Sequence, residues 1–338
     1  MLIFISRGDR IAKIYYDKDA DLEILKGKTI AIIGYGNQGQ AQANNLRDSG
    51  CKVIIGSIKD ASYEQAVKDG FEVYDISEAA KRGDIVHILI PDEYQADVYK
   101  EHIAQHMKKG KTLCFSHGFN IHFKQIVPPP EVDVIMIAPK APGAILRRMF
   151  QQGSGTPGIL AVYQNPSGKA REVALAMAKG VGLTRIGVVE TTFKEEVETD
   201  LFGEQAVLVG GVSELMKAGF ETLVEAGYQP EIAYFECINE LKLIIDLVYE
   251  HGIEGMMKAV SNTAEYGGRT RGKWVIDENV RKTMKKMLEE IQSGKFAEEW
   301  IKESRNGIPN LRKMREEAKE HLVEKVGREL RKWAGIEK

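Results

Sequence analysis

The chain has 338 residues, 43% of them hydrophobic and 28% charged, with a formal net charge of −2. That balance argues against a nucleic-acid-binding protein working through a basic surface, and no apolar run approaches the roughly 20 residues of a membrane-spanning helix. The length exceeds what one hydrophobic core usually serves, so two domains are expected.

The N-terminal stretch MLIFISRGDR has a short apolar run cut off by Arg7, Asp9 and Arg10. It is too short for the apolar core of a signal peptide and lacks the basic start. Cys51, Cys114 and Cys237 are widely spaced and fit no zinc or disulfide framework. They read as reduced thiols, and a cytoplasmic protein is expected.

From about residue 29 to 186, β-rich runs alternate with helical stretches, the pattern of a mostly parallel sheet covered by helices. Strands are expected at 29–34, 52–56, 71–74, 84–90, 112–116, 132–138, 158–163 and 183–188. The first runs into GYGNQG, in which Gly34, Gly36 and Gly39 have G-x-G-x-x-G spacing, with a helix expected from near Gln40. Strand, glycine loop and helix in that order predict a dinucleotide site, the pyrophosphate lying at the helix N-terminus. The second strand leads into SIKDAS. Ser57, Lys59 and Ser62 suit a 2′-phosphate, whereas the Asp60 carboxylate would accept from ribose hydroxyls and repel a phosphate. NADH preference with some use of NADPH is predicted.

His102 and His106 have metal-ligand spacing but lie among polar residues and read as solvated. His117, in SHGFNIHF, follows a strand at the sheet's carboxyl edge, where open α/β folds place ligands; His122 is its expected neighbour. Lys140, in IAPKAPG, follows another strand at that edge and reads equally as a site cation or a solvated lysine.

After about residue 190 strand-like runs stop and helical periodicity continues nearly to the end. The division expected is a sheet domain over 1–190 and an all-helical domain over 191–338. The lysine- and glutamate-rich segment 312–332 reads as one solvated amphipathic helix. Asp200 and Glu204, in ETDLFGEQAVLVGG, are four apart ahead of an apolar run; Glu236 and Glu240, in YFECINELKLIIDL, repeat the spacing. Four apart on a helix places like charges on one face. A cage of four carboxylates holding two divalent cations would offset that repulsion.

These motifs converge on one family. The chain resembles ketol-acid reductoisomerases of the short class I type through YYDKDADLEILKGKTIAIIGYGNQGQAQANNLRDSG, LIPDEYQADVY, SHGFNIHF, APKAPG, ETDLFGEQAVLVGG, YFECINELKLIIDL and SNTAEYG, in the family's order. The resemblance implies a Rossmann-type domain followed by a knotted helical domain that interlocks with that of a second subunit. It implies a homodimer with shared active sites, with a dodecamer built from dimers compatible. By resemblance, Asp200 and Glu204 bind two Mg²⁺, Asp200 bridging them, and Glu236 and Glu240 come from the partner. Ser261 contacts the substrate carboxylate. Tyr35, Gly36, Asn37 and Gln38 match the pyrophosphate loop; Asp92, Glu93, Tyr94 and Gln95 match a second cofactor contact; Gly143 matches a later one. Two departures stand out. Ala141 and Ala144 replace a Gly and a His of the family loop, and Ile58 stands where many members carry arginine for the 2′-phosphate.

The implied reaction converts 2-acetolactate or 2-aceto-2-hydroxybutyrate, by alkyl migration and reduction, into 2,3-dihydroxy-isovalerate or its methylated homologue. His117 matches the family's active-site residue, while Glu240 or a metal-bound hydroxide are alternative bases; Lys140 is placed to stabilise developing negative charge. Two rival readings are a metal-independent NAD-dependent hydroxy-acid dehydrogenase and a non-catalytic NAD-sensing module.

Overall fold

The computed structural model describes residues 12–337; the apolar run within residues 1–10 lies outside them. The chain divides into two compact units, at Val197 and Glu198. In the first, strands β1 (Ile14–Tyr15), β2 (Thr29–Ile33), β3 (Lys52–Gly56), β4 (Glu72–Tyr74), β5 (Ile85–Ile88), β6 (Thr112–Phe115), β7 (Asp133–Pro139), β8 (Gly158–Gln164) and β9 (Val188–Thr191) form one sheet. Between them run α1 (Asn37–Asp48), α2 (Ala61–Lys68), α3 (Ile76–Arg82), α4 (Asp92–Val98), α5 (Phe119–His122), α6 (Gly143–Gln151) and α7 (Ala170–Val181). The strand order is β1-β9-β8-β7-β6-β5-β2-β3-β4.

Alternation along β2 explains why the sheet is covered twice. Ile30 and Ile32 join an apolar layer with Leu46 of α1 and Met177 of α7. Ala31 and Ile33 join the opposite layer with Ala79 and Ala80 of α3. A strand buried on both faces needs apolar residues at every position, and TIAII supplies them. Burying one such isoleucine contributes roughly 1.5–3 kcal/mol. Asp60 and Asp75 cap α2 and α3 by accepting from the backbone N–H of Tyr63 (3.0 Å) and Glu78 (2.9 Å), bonds that offset orphan donors.

The sheet is mixed. β7 and β8 pair antiparallel, as do β1 and β9, while the other pairs are parallel. Three expectations need correction. The run 183–188 is not a strand: Leu183–Arg185 is a 3₁₀ turn, and the strand starts at Val188. Gly182 (φ 94°) and Gly187 (φ 139°) break extended backbone there, and the turn's buried Leu183 mimics a strand's apolar signature. Helix α1 starts at Asn37, not near Gln40, because Gly36 is its extended N-cap and accepts from Gln40 N–H at 2.8 Å. The third correction concerns the C-terminal tail.

The chain enters the second unit within α8 (Phe193–Gly203). There follow α9 (Gly210–Glu225), α10 (Pro230–Tyr234), α11 (Leu241–Ala259), α12 (Asn262–Val275), α13 (Glu278–Gln292), α14 (Lys295–Arg305), α15 (Pro309–Glu320) and α16 (Leu322–Trp333). Five-residue π turns occupy Glu204–Leu208 and Phe235–Asn239. In a π turn each N–H reaches back five residues, as Val209 does to Glu204 (3.0 Å) and Glu240 to Phe235 (3.0 Å). Gly210 and Gly211 follow the first turn because a Cβ on either would lie 2.3 and 2.0 Å from the carbonyl oxygens of Gln205 and Ala206. The tail is two helices rather than one. His321 breaks it with extended backbone and accepts from Val323 N–H (3.2 Å). It is not fully solvated either, since Val323 is buried with Phe220, Ala233 and Tyr234.

One polar group sits in the sheet's centre. His87 of β5 is fully buried, which pushes its pKa down from 6.5 to about 3. Above pH 6.5 both folded and unfolded chains carry neutral imidazole. Below it only the unfolded chain binds the proton, until pH falls to about 3. Stability should therefore drop by about 1.4 kcal/mol per pH unit across that window from this group alone. Urea unfolding at pH 7 and pH 5 should show the wild type losing about 2 kcal/mol more than His87→Asn over that interval; equal losses would contradict a neutral buried His87.

Candidate active site

In the sheet order β3 and β6 flank the central pair β2 and β5, so chain direction through the sheet reverses between them. Open α/β sheets bind ligands at such a switch point. The fingerprint leaves β2 there. Gly34 has φ 95°, and a Cβ on it would meet Ile90 Cγ2 at 2.6 Å, beyond the end of β5. Gly39 lies so close that a Cβ would be 2.3 Å from the Gly34 carbonyl oxygen, whereas a Cβ on Gly36 would meet nothing within 4 Å. Two glycines thus allow close packing, and the third leaves open space beside the N-terminal N–H groups of α1. This is a cradle that fits a pyrophosphate. Gly143 supports it from behind: its Cβ would fall 2.0 Å from the Asn37 carbonyl oxygen.

Several residues singled out at this edge have their side chains engaged in the protein. Tyr35 is buried; its hydroxyl donates to Asp69 (2.7 Å) and accepts from Asn44 (3.0 Å). Burial, reinforced by the bond to Asp69, holds the phenol's pKa far above its usual value. Gln95 is buried, donating to the Ile90 carbonyl (2.9 Å) and Asp92 (3.0 Å) and accepting from Asn120 (3.2 Å). Ser57 is buried too, whereas Ile58 is 66% exposed. Lys59 and Asp60 are exposed, Ser62 is half-buried, and Asp60 already spends one carboxylate oxygen on its helix cap. Glu93 is half-buried and Tyr94 exposed on α4.

The chemistry gathers where β6 and β7 end. His117 follows β6, Lys140 follows β7, and Glu196 reaches them from the first turn of α8. The Glu196 side chain is 1% exposed. It lies 3.1 Å from His117 Nδ1, 3.5 Å from Lys140 Nζ and accepts from Gly118 N–H at 3.2 Å. Burial alone would raise its pKa. The bond from His117, the charges of His117 and Lys140, and the Gly118 N–H outweigh burial and hold Glu196 below the usual carboxylate range. His117 Nε2 is 4.0 Å from Asp92 Oδ2, so carboxylates flank both ring nitrogens. His122, one short helix further on, packs edge-on against Phe123.

Asp200 stands one turn beyond Glu196 on the same helix. His117, Glu196 and Asp200 each offer one ligand atom, all within 4.8 Å of one another. Two carboxylates and an imidazole suit a divalent cation. Among the described residues this group does not include Glu204, Glu236 or Glu240. Glu204 opens the first π turn and is exposed. Glu236 and Glu240, also exposed, line a separate cavity of the second unit with Cys237, Ile244 and Ser261. Glu196 is the residue that sequence reasoning missed. A signal for it exists in the sequence, since Glu196, Asp200 and Glu204 form one ladder at four-residue spacing that starts two residues before ETDLFGEQ.

Two family models match the chain. The NADPH-binding domain of acetohydroxy acid isomeroreductase matches residues 24–187, and the C-terminal domain of ketol-acid reductoisomerase matches 193–335. The chain is 59% identical to the ketol-acid reductoisomerase (NADP(+)) of Petrotoga mobilis over 322 residues, covering 95% of this chain and 98% of the relative. It is 57% identical to that of Methanocaldococcus jannaschii over 329 residues, covering 97% and 100%. Among solved structures, an NADH-preferring ketol-acid reductoisomerase from an uncultured archean superposes with a TM-score of 0.92 at 55% identity, covering 95% of this chain and 98% of that one.

Replacing Glu196 by Gln keeps shape and burial but removes the charge. Mg²⁺ affinity measured by titration calorimetry should fall by more than about tenfold; an unchanged affinity would take Glu196 out of the cation group.

Proposed function

Because the chain belongs to the ketol-acid reductoisomerase family, we propose that it converts 2-acetolactate and 2-aceto-2-hydroxybutyrate into 2,3-dihydroxy-isovalerate and 2,3-dihydroxy-3-methylvalerate with NAD(P)H, in valine and isoleucine biosynthesis. The observation that carries this reading is the buried Glu196, charged and set among His117, Lys140 and Asp200 at the same sheet edge as the glycine cradle. A simple hydride-transfer site has no need for a pair of carboxylates one helical turn apart.

Roles follow from donor chemistry. The hard oxygen donors Glu196 and Asp200 fit Mg²⁺. Bound there, the metal supplies a Lewis acid that acidifies the substrate hydroxyl and polarises its ketone, and NAD(P)H supplies the hydride. His117 is oriented by Glu196 through Nδ1, which leaves Nε2 to receive the hydroxyl proton; Asp92 on that side favours the imidazolium that results. Base and orienter in this relation are the usual arrangement for proton abstraction. Lys140 offsets negative charge that develops on the substrate oxygens. Its present distance to Glu196 means a bound cation would compete with it for that carboxylate. The loop Gly34–Gly39 and α4's start hold the dinucleotide.

A second Mg²⁺ beside Asp200 and Glu204, with Glu236 and Glu240 supplied by the partner subunit and Ser261 on the substrate carboxylate, completes the reading. Two features support it. Glu236, Glu240 and Ser261 share a cavity exposed to solvent in the single chain. Helices α11 and α12 expose Leu243, Ile245, Tyr249, Ile253, Tyr266 and Trp274, an apolar burden typical of surfaces covered by another subunit. An interlocked homodimer would cover it. Among the described residues no helix is long and apolar enough to cross a membrane, and we assign the enzyme to the cytoplasm.

For the dinucleotide, exposed Ile58 in place of a phosphate-binding arginine, next to the charge of Asp60, supports NADH. The name of the archean relative agrees with that preference, and the names of the two curated relatives point to NADP(+). Steady-state kinetics with both cofactors should give the larger kcat/KM for NADH, and a strong NADPH preference would reverse the assignment of the loop. Adding EDTA should abolish acetolactate turnover and added Mg²⁺ restore it. Full turnover in chelator would favour a metal-independent hydroxy-acid dehydrogenase instead.

A further inference from the structure

A line of polar side chains, fully buried at Gln42 and His87 and half-buried at Gln38 and Ser116, crosses the first unit beneath the cradle. Ser116, directly before His117, is its hub. Its hydroxyl donates to the Ile137 carbonyl in β7 (2.9 Å). With that proton committed, Oγ can only accept from its two remaining neighbours, Gln42 Nε2 (3.0 Å) and His87 Nε2 (3.3 Å). His87 is therefore the Nε2–H tautomer, in keeping with a buried Nδ1 that has no partner. Gln42, fully buried in α1, uses its second N–H on Gln38 Oε1 (3.1 Å). Gln38 Nε2 in turn donates to the Ala141 carbonyl (3.0 Å).

The two carbonyls at the ends of this line, Ile137 and Ala141, lie on either side of Lys140 in sequence. Ser116 is covalently joined to His117. Gln38 lies in the first turn of α1, where the glycine fingerprint runs into the helix. We propose that Gln42 is a positioning residue: its amide locks the dinucleotide loop, His117 and the Lys140 loop into one register, so that cofactor seating and proton-transfer geometry are set together. This rests on the roles given above to that loop, His117 and Lys140.

Stability alone does not call for an amide here. Gln42 Oε1 is buried without a partner, and an unsatisfied buried polar atom costs more than an apolar side chain of equal size. What the amide adds is two directed bonds, one along α1 to Gln38 and one across to Ser116 at the end of β6.

The test compares wild type, Gln42→Met, Ser116→Ala and the double variant, using acetolactate, Mg²⁺ and NADH. Losing directed bonds of this kind should lower kcat about tenfold, with KM for NADH changed less than threefold. The double variant should be no worse than the weaker single, since both cut one connection. Hydrogen exchange gives a readout apart from activity. NADH should protect both residues 34–39 and 115–118 in the wild type, but only 34–39 in Gln42→Met, which keeps the direct Gln38–Ala141 bond and loses the one to Ser116. Unchanged kcat, multiplying losses, or protection of 115–118 that survives in the variant would each overturn the role. If Gln42→Met does not fold, Ser116→Ala cuts the line from its other end and faces the same criteria. A wild type that turns over no acetolactate would sink the proposed function and this role together; turnover with indifferent variants would sink this role alone.

Discussion

A carboxylate with almost no solvent contact is the constraint around which the active-site end of the sheet is organised. Removing an ionised group from water is costly unless charges and donors replace the water. Glu196 obtains them from His117, Lys140 and the Gly118 N–H, three groups from the ends of two neighbouring strands. The docking of α8 follows. Gly118 must lack a side chain, because a Cβ would sit 2.8 Å from Phe193 and 2.9 Å from Val197. Phe193 also meets Phe115 edge-to-face across 6.5 Å. Apolar packing on either side of Glu196 thus presses its charge against the strand ends, and the same helix carries Asp200 into position.

Much of this architecture is legible from sequence because its signals are local. Doubly buried strands appear as unbroken apolar runs, the glycine fingerprint sits between strand and helix, and capping aspartates precede their helices. The failures are equally physical. The run at 183–188 has a strand's composition, but glycines at positive φ on both sides force a turn. The antiparallel entry of β8 leaves no mark in its own residues, since apolar strands look alike in either direction. Asp60 carries a helix cap that DASY makes legible, and one carboxylate oxygen remains beyond that bond.

The site itself was read at the level of residue type and missed at the level of contact. His117 and Lys140 announce themselves by standing at strand ends. Their convergence on one buried acid 56 positions beyond Lys140 is tertiary information that no spacing rule contains. Gln42 is more hidden still, since a glutamine within a helical stretch looks like solvent-facing polarity until its burial is known. The acids of the second unit keep their pairwise spacing, but their cavity is built by helices whose apolar faces lack partners within a single chain.

The π turn at Glu204–Leu208 has an evolutionary corollary. Such a turn holds one residue more than the α-helix it interrupts, and is often found at functional sites. Shortening the segment by a single codon would let the helix close up as ordinary α, swinging everything downstream by about 100° around the axis. Beyond Glu204, the geometry of this segment constrains its length more than its side chains. Lineages that vary this protein should tolerate substitutions across VLVGG far better than a lost or gained triplet, except at Gly210 and Gly211, where the widened coil leaves no space for a methyl group.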